Sequence, residues 1–199
     1  MVERKKIIAT TDTCFHLLRH FSEISETEMT QFLNASFTTD QILSQLKISG
    51  SKFYPAFSEG PFNLITKLTT SKEKYNFLQD SNTFIFIWEF SELENAEPIG
   101  FDGLVNLSDL DAKEMELVYL ANRGEHKIFH YPANKVKNTR QLVMSCIETV
   151  DSFLVKTCFP GTYAPPFPAE NYSPELNLKA SQFWSEHALI IYQTNAYVK

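Results

Sequence analysis

Apolar and polar positions change rhythm twice along the chain, and the changes predict its elements. The first fifty residues follow helical spacing. Ser25-Glu26-Thr27-Glu28 is a capping-box pattern, with Met29, Phe32 and Leu33 behind it on one face. Thr38 and Gln41 form a second box before Ile42, Leu43 and Leu46, and Gly50 closes that helix. The middle reads as antiparallel sheet. Phe62 to Leu68 alternates in part, and Thr83 to Phe90 is β-branched and aromatic throughout, the strongest strand in the chain. Its apolar side chains fall on both faces, which predicts a central strand covered twice. Ser71 to Gln79 reads as a short helix, with Thr70 and Glu73 as its box. Phe101 to Leu107 and Met115 to Ala121 are weaker strands. Asn122-Arg123-Gly124-Glu125 is a turn, so 115–131 reads as a hairpin.

The last third returns to helical spacing. Leu142, Val143, Cys146, Ile147, Val150, Phe153 and Leu154 predict one long amphipathic helix, capped by Asn138 and running to about Thr157 before Pro160-Gly161. A linker rich in Pro and aromatics follows. Ser173-Pro174-Glu175 then opens a helix carrying Leu176, Ala180, Phe183, Trp184 and His187. Helices, strands and helices in that order predict α+β: a mainly antiparallel sheet flanked by N-terminal and C-terminal helices, in a single domain over 1–199.

Composition sharpens this. Of 199 residues, 17 are Phe, 8 Tyr and 2 Trp, whereas only 6 are Gly. So much apolar surface excludes a disordered chain. The scattered glycines make neither GxGxxG nor GxxxxGK[ST], which argues against a phosphate-cradling loop. The net charge of −6 disfavours nucleic acid. The acids concentrate between 88 and 117, including Glu92, Glu94 and Glu97, and a basic stretch follows from Arg123 to Arg140. These are either two solvated faces or surfaces that steer a partner. Three cysteines without a CxxC pair, no signal-like N-terminal run and no apolar stretch of membrane length predict a cytoplasmic protein that does not enter a membrane.

Candidate chemistry is sparse. His16 and His20 are spaced to share a helix face and hence an ion, but no HExxH glutamate accompanies them and Arg19 adjoins. His126 and His130 sit four apart in an apparent strand, too far for one ion. Asp109 and Asp111 lack the rest of a calcium loop. No metal and no cofactor are therefore expected. Cys146 lies among core positions, and Cys158 falls at the helix end that disfavours a thiolate. Cys14 has His16 near it in sequence, but a base must meet the thiol in space.

The remaining candidate is the C-terminal aromatic element. Tyr163, Trp184 and His187 are expected to line a cleft with a Pro-rich rim, its imidazole serving as the polar handle. The plainer alternative is that Phe183 and Trp184 are core. Phe183-Trp184-Ser185-Glu186-His187-Ala188-Leu189-Ile190, with Tyr172 and Ser181 upstream, resembles the C-terminal end of an uncharacterised family of cytosolic proteins of similar length. That resemblance implies no activity. The leading expectation is binding of a small ligand or protein partner through this element. One alternative is a small-molecule enzyme with His187 as general acid/base. The other is an inhibitor or immunity-type protein using the acidic 88–117 segment.

Overall fold

The structure, a computed structural model, describes residues 5–48, 50–71, 75–80, 83–90, 97–114, 119–123, 126–129 and 136–190. In chain order its elements are β1 (Lys6–Ile8), α1 (Thr11–Leu17) running into a 3-10 turn (Leu18–His20), α2 (Glu26–Asn34), α3 (Thr39–Leu46) and β2 (Lys52–Phe53). Then come α4 (Pro61–Thr70), β3 (Tyr75–Asp80), β4 (Thr83–Glu89), β5 (Gly100–Asp102) and a 3-10 turn (Leu107–Asp109). The chain continues through β6 (Tyr119–Arg123), β7 (His126–Phe129), β8 (Lys137–Thr139), β9 (Gln141–Glu148) and β10 (Ser152–Pro160). It closes with α5 (Pro174–His187) and β11 (Ala188–Ile190). The fold is α+β, and its largest sheet is mostly antiparallel. The chain divides into two compact units, Met1–Gly103 with Lys137–Tyr163, and Leu104–Val136 with Ala164–Lys199.

The first unit is built on a five-stranded sheet ordered β1-β10-β9-β4-β3, in which only β1 and β10 run parallel. A smaller antiparallel sheet, β2-β5-β8, belongs to the same unit. As its sequence predicts, β4 is an interior strand, with Ile85 and Phe86 buried on its opposite faces. Leu17, Leu64 and Leu68 of α1 and α4 pack onto one sheet face against Phe86, Trp88 and Met144. The helices form a second cluster of their own around Phe32 and Ile42, in which Phe15 stacks on Phe37 at 4.1 Å. The second unit is smaller. Its sheet, ordered β11-β7-β6, is antiparallel, and Ile128, Ala180, Trp184 and Ala188 form its buried core.

Three segments differ from the elements their spacing predicts. Residues 138–157 form no helix: Leu142 to Glu148 lie in β9 and Ser152 to Thr157 in β10, joined by a tight turn at whose tip Val150 is 88% exposed. Strands buried on both faces lose their alternation, so a continuous apolar run there imitates helical spacing. Ser71 to Gln79 is not a helix either, since Tyr75–Asp80 pairs with β4 as a hairpin. The Thr70/Glu73 box lies partly outside the described residues, and Thr70 itself ends α4. Phe62 to Leu68, expected in the sheet, is helical, because Pro61 at the first helical position starts α4. The 115–131 hairpin is present as β6 and β7, with its flanks at 115–118 and 130–131 outside the described residues. The C-terminal helix lies in the second unit, where Ala180 and Trp184 pack with Ile128 of β7 and Ala188 of β11.

The helix ends show how the short helices are held. Thr38 and Gln41 form the complete capping box, and Ser173 caps α5. At α2 only half of the predicted box forms. Ser25 accepts the amide of Glu28, but the Glu28 carboxylate reaches instead to α4, accepting the amides of Phe62 at 3.2 Å and Asn63 at 2.7 Å. Glu28 is thus a cap supplied from another helix, placed where the helix dipole favours negative charge. Burial pushes its carboxyl above the ordinary range, the two amides pull the other way, and Glu59 adds to the rise. Lys52 answers at the opposite polarity. Its buried ammonium donates to the carbonyls of Arg19 at 2.7 Å, Leu46 at 2.9 Å and Phe21 at 3.0 Å, where the 3-10 turn and α3 end. Gly60 lies so close to Glu28 that an added Cβ would stand 2.5 Å from its carboxyl carbon. Gly60→Ala is expected to destabilise the protein by about 2 kcal/mol, since a buried carboxylate must move off its donors. Denaturant unfolding measures this, and a change below about 0.5 kcal/mol would show the cap to be dispensable.

Candidate functional site

The main sheet presents a contiguous aromatic face. Register places Tyr75 opposite Trp88 and Phe77 opposite Phe86, on neighbouring strands. Tyr75 meets Trp88 and Phe86 at 5.2 Å, Phe77 meets Phe86 at 5.4 Å, and Phe153 of β10 meets Phe86 at 5.0 Å and Phe84 at 5.3 Å. These are ordinary aromatic contact distances. A bulge between Val155 and Thr157 lets β10 continue on this face. With Lys156 as the extra residue, Val155 and Cys158 are both buried although three apart.

Where α4 ends above this face, a cavity of about 480 Å³ remains. Phe86 and Trp88 form its floor and Tyr75 and Phe153 its half-buried aromatic sides, with Leu68, Thr69 and Ser71 from the end of α4. Lys5, Lys6 and Ile7 contribute from β1 and the residue before it. The Lys5 ammonium bonds the Glu148 carboxylate and the Thr149 carbonyl, each at 2.8 Å, and stands 5.9 Å from the Phe153 ring centre. Sequence reading assigns the aromatics of 83–90 to the core and so misses this cavity. The available signal was Tyr75 and Phe77, whose alternation becomes visible once 75–80 is read as a strand.

The C-terminal candidates are placed as follows. Trp184 is buried at 4% exposure, stacks on Phe167 at 4.3 Å, and donates its indole N–H to the Pro165 carbonyl at 2.9 Å. His187 is half-buried and stacks on Phe183 at 4.2 Å. Its Nδ1 lies 2.7 Å from the Phe183 carbonyl. A carbonyl only accepts, so Nδ1 carries the proton and the Nε2 lone pair is left to act. Phe183 thus joins Trp184 and His187 into one aromatic group. Tyr163, half-buried, belongs to the first unit and Trp184 and His187 to the second.

The three cysteines are buried. The Cys14 and Cys146 thiols are each pushed up to about 12 by burial, with Glu28 adding at Cys14. Burial also raises the Cys158 thiol well above its ordinary value, helped by Cys146. None is a thiolate near neutral pH. His16 is exposed on α1, its pKa lowered first by desolvation and then by Arg19 and Lys156. His20 packs 5.7 Å from Phe159 and donates from Nδ1 to the Ser51 carbonyl at 3.1 Å. Among the described residues, no group of three or more His, Cys, Asp or Glu is placed to hold a metal ion.

Burial lowers the His20 pKa to about 3, with Arg19, Lys52 and His16 adding and the Ser51 bond opposing. Below the ordinary histidine range the unfolded chain gains a proton that folded His20 refuses. Stability is therefore full above about pH 6.5 and falls as the pH drops from there toward 3. One such group accounts for at most about 2 kcal/mol between pH 6.5 and 5, before carboxylates contribute. Unfolding free energies across that window should show the slope, and His20→Gln should flatten it.

A second expectation concerns the indole. Trp184→Phe keeps most of the buried surface but orphans the Pro165 carbonyl, and should lower stability by about 1–2 kcal/mol. Unfolding followed in both proteins checks this. No family model matches the chain, and no curated protein and no solved structure matches it.

Proposed function

We propose that the protein binds a small organic molecule, and that the aromatic cavity beneath the end of α4 receives it. The observation that carries this reading is the cavity itself. Its volume of about 480 Å³ lies within the range of small-ligand sites, and its lining joins aromatic carbon to a few polar groups. The half-buried Tyr75 and Phe153 rings face this hollow, so a ligand with apolar surface entering it would be removed from water. Binding in the cytoplasm, without nucleic acid, metal or cofactor, is part of this proposal.

A second reading keeps the ligand at the C-terminal element. What favours it is the His187 ring, held by the Phe183 carbonyl in the tautomer that leaves Nε2 as acceptor or base. On that reading Trp184 is a supporting residue, since its indole is buried and bonded. The acidic-segment alternative takes 88–117 with Glu92, Glu94 and Glu97; Glu92 and Glu94 lie outside the described residues, and Glu97 is exposed.

The two tryptophans separate the two sites, because Trp88 lines the cavity and Trp184 belongs to the C-terminal element. Each gives one indole N–H resonance, assignable by Trp→Phe replacement. Titration with anilinonaphthalene sulfonate should saturate at one equivalent and shift the Trp88 resonance, leaving Trp184 in place. A shift confined to Trp184 would move the site to the second unit. No saturable shift at either would overturn the small-ligand reading.

A further inference from the structure

We infer that the part of the ligand entering the cavity is an uncharged, flat aromatic ring system. This deepens the small-ligand reading and rests on it. The flat shape follows from the walls. Tyr75 and Phe153 are half-buried, so part of each ring is open, while Phe86 and Trp88 at 3% and 1% exposure form a packed floor. The rings meet at steep angles, Tyr75 with Phe86 at 72° and Phe86 with Phe153 at 76°. A flat ring entering here gains offset contacts with one ring and edge-to-face contacts with another, which a rounded aliphatic body cannot make to the same extent.

The lack of charge follows from where the lysines point. Strand register sets Ile7 opposite Phe153 and Lys6 opposite Ser152. Successive residues of a strand face opposite sides, so Ile7 shares the cavity face with Phe153, and the exposed Lys6 side chain leaves on the other. Lys5 borders the cavity, but its ammonium is held by the Glu148 carboxylate and the Thr149 carbonyl, each at 2.8 Å. Among the described lining residues there is no carboxylate. An anion drawn inside would compete with Glu148 for Lys5, and a cation would meet Lys5 with no carboxylate of that lining to answer it. Either would lose hydration without gaining a partner of its own. A charge at the outer end of a ligand keeps its water and meets no such cost.

Naphthalenes carrying one group at each end test this, because one end must enter. The probes are the dimethanol, the dicarboxylate and the bis-aminomethyl dication, with adamantane dimethanol as the rounded counterpart, and binding is followed at the Trp88 indole resonance. Naphthalene dimethanol should bind at least about tenfold more tightly than either charged form. It should also bind at least about threefold more tightly than adamantane dimethanol. Glu148→Gln releases Lys5 and should strengthen the dicarboxylate by about threefold, an effect that added salt removes. Lys6→Gln should not weaken the dicarboxylate further. Thr69→Trp, at an exposed position of α4 on the cavity rim, should weaken every probe that binds. A dicarboxylate as tight as the dimethanol, or one weakened by Lys6→Gln, would overturn the uncharged assignment. Adamantane dimethanol binding as tightly as its flat counterpart would overturn the flat one. Both of those results leave the cavity as a site. No probe binding, or binding indifferent to Thr69→Trp, would overturn the site itself.

Discussion

Two buried charges hold the helical layer of the first unit. Its helices run only seven to ten residues, too short to persist alone in water. Their ends point into protein, where an unpaired amide or carbonyl is costly. Glu28 answers the amides that open α4, and Lys52 answers the carbonyls that close α3 and the 3-10 turn. Both are charge-assisted contacts, and those of Glu28 to α4 and of Lys52 to Arg19 and Phe21 join segments more than 30 residues apart in sequence. Buried charges of this kind add geometric definition more than net stability, because desolvation offsets much of the attraction.

That definition matters at the far end of α4. With its N-terminus pinned by Glu28 and its Leu64 and Leu68 in the core, the helix has a set direction across the sheet. It stops at Thr70, and the aromatic sheet face extends beyond the part it covers, as the 50% exposure of Phe77 shows. The cavity is thus the difference between the length of a helix and the width of a sheet. The bulge at Lys156 keeps β10 twisting beneath it while holding Phe153, Val155 and Cys158 toward the same core.

Much of the local structure was legible in the sequence. Thr83 to Phe90 read as a central strand and β4 is interior to its sheet, and the Thr38 box, the Ser173 cap and the described part of the 115–131 hairpin form as their residues predict. These signals succeed because each depends on neighbours within a few positions. The failures differ in cause. Over 142–157 a continuous apolar run imitated helical spacing, over 75–80 pairing with β4 decided the backbone, and at 62–68 Pro61 starts a helix. Glu28 shows a distant partner overriding a local signal within one residue. Its spacing from Ser25 predicted a local box, yet donors 34 and 35 residues away took the carboxylate.

The candidate site divides along that line. By itself the sequence determined that aromatic side chains would dominate the interior, that phosphate-cradling glycine loops are missing, and that Phe183, Trp184 and His187 would share one helix. Only the tertiary structure decided which rings pack closed and which border a cavity. Trp184 is sealed by Phe167 and Pro165, whereas Trp88 lies beneath an opening at the end of α4. Both are nearly buried tryptophans in amphipathic surroundings, and no local pattern tells them apart. The difference lies in what crosses above each ring, and that is set by strand register and helix direction rather than by neighbouring residues.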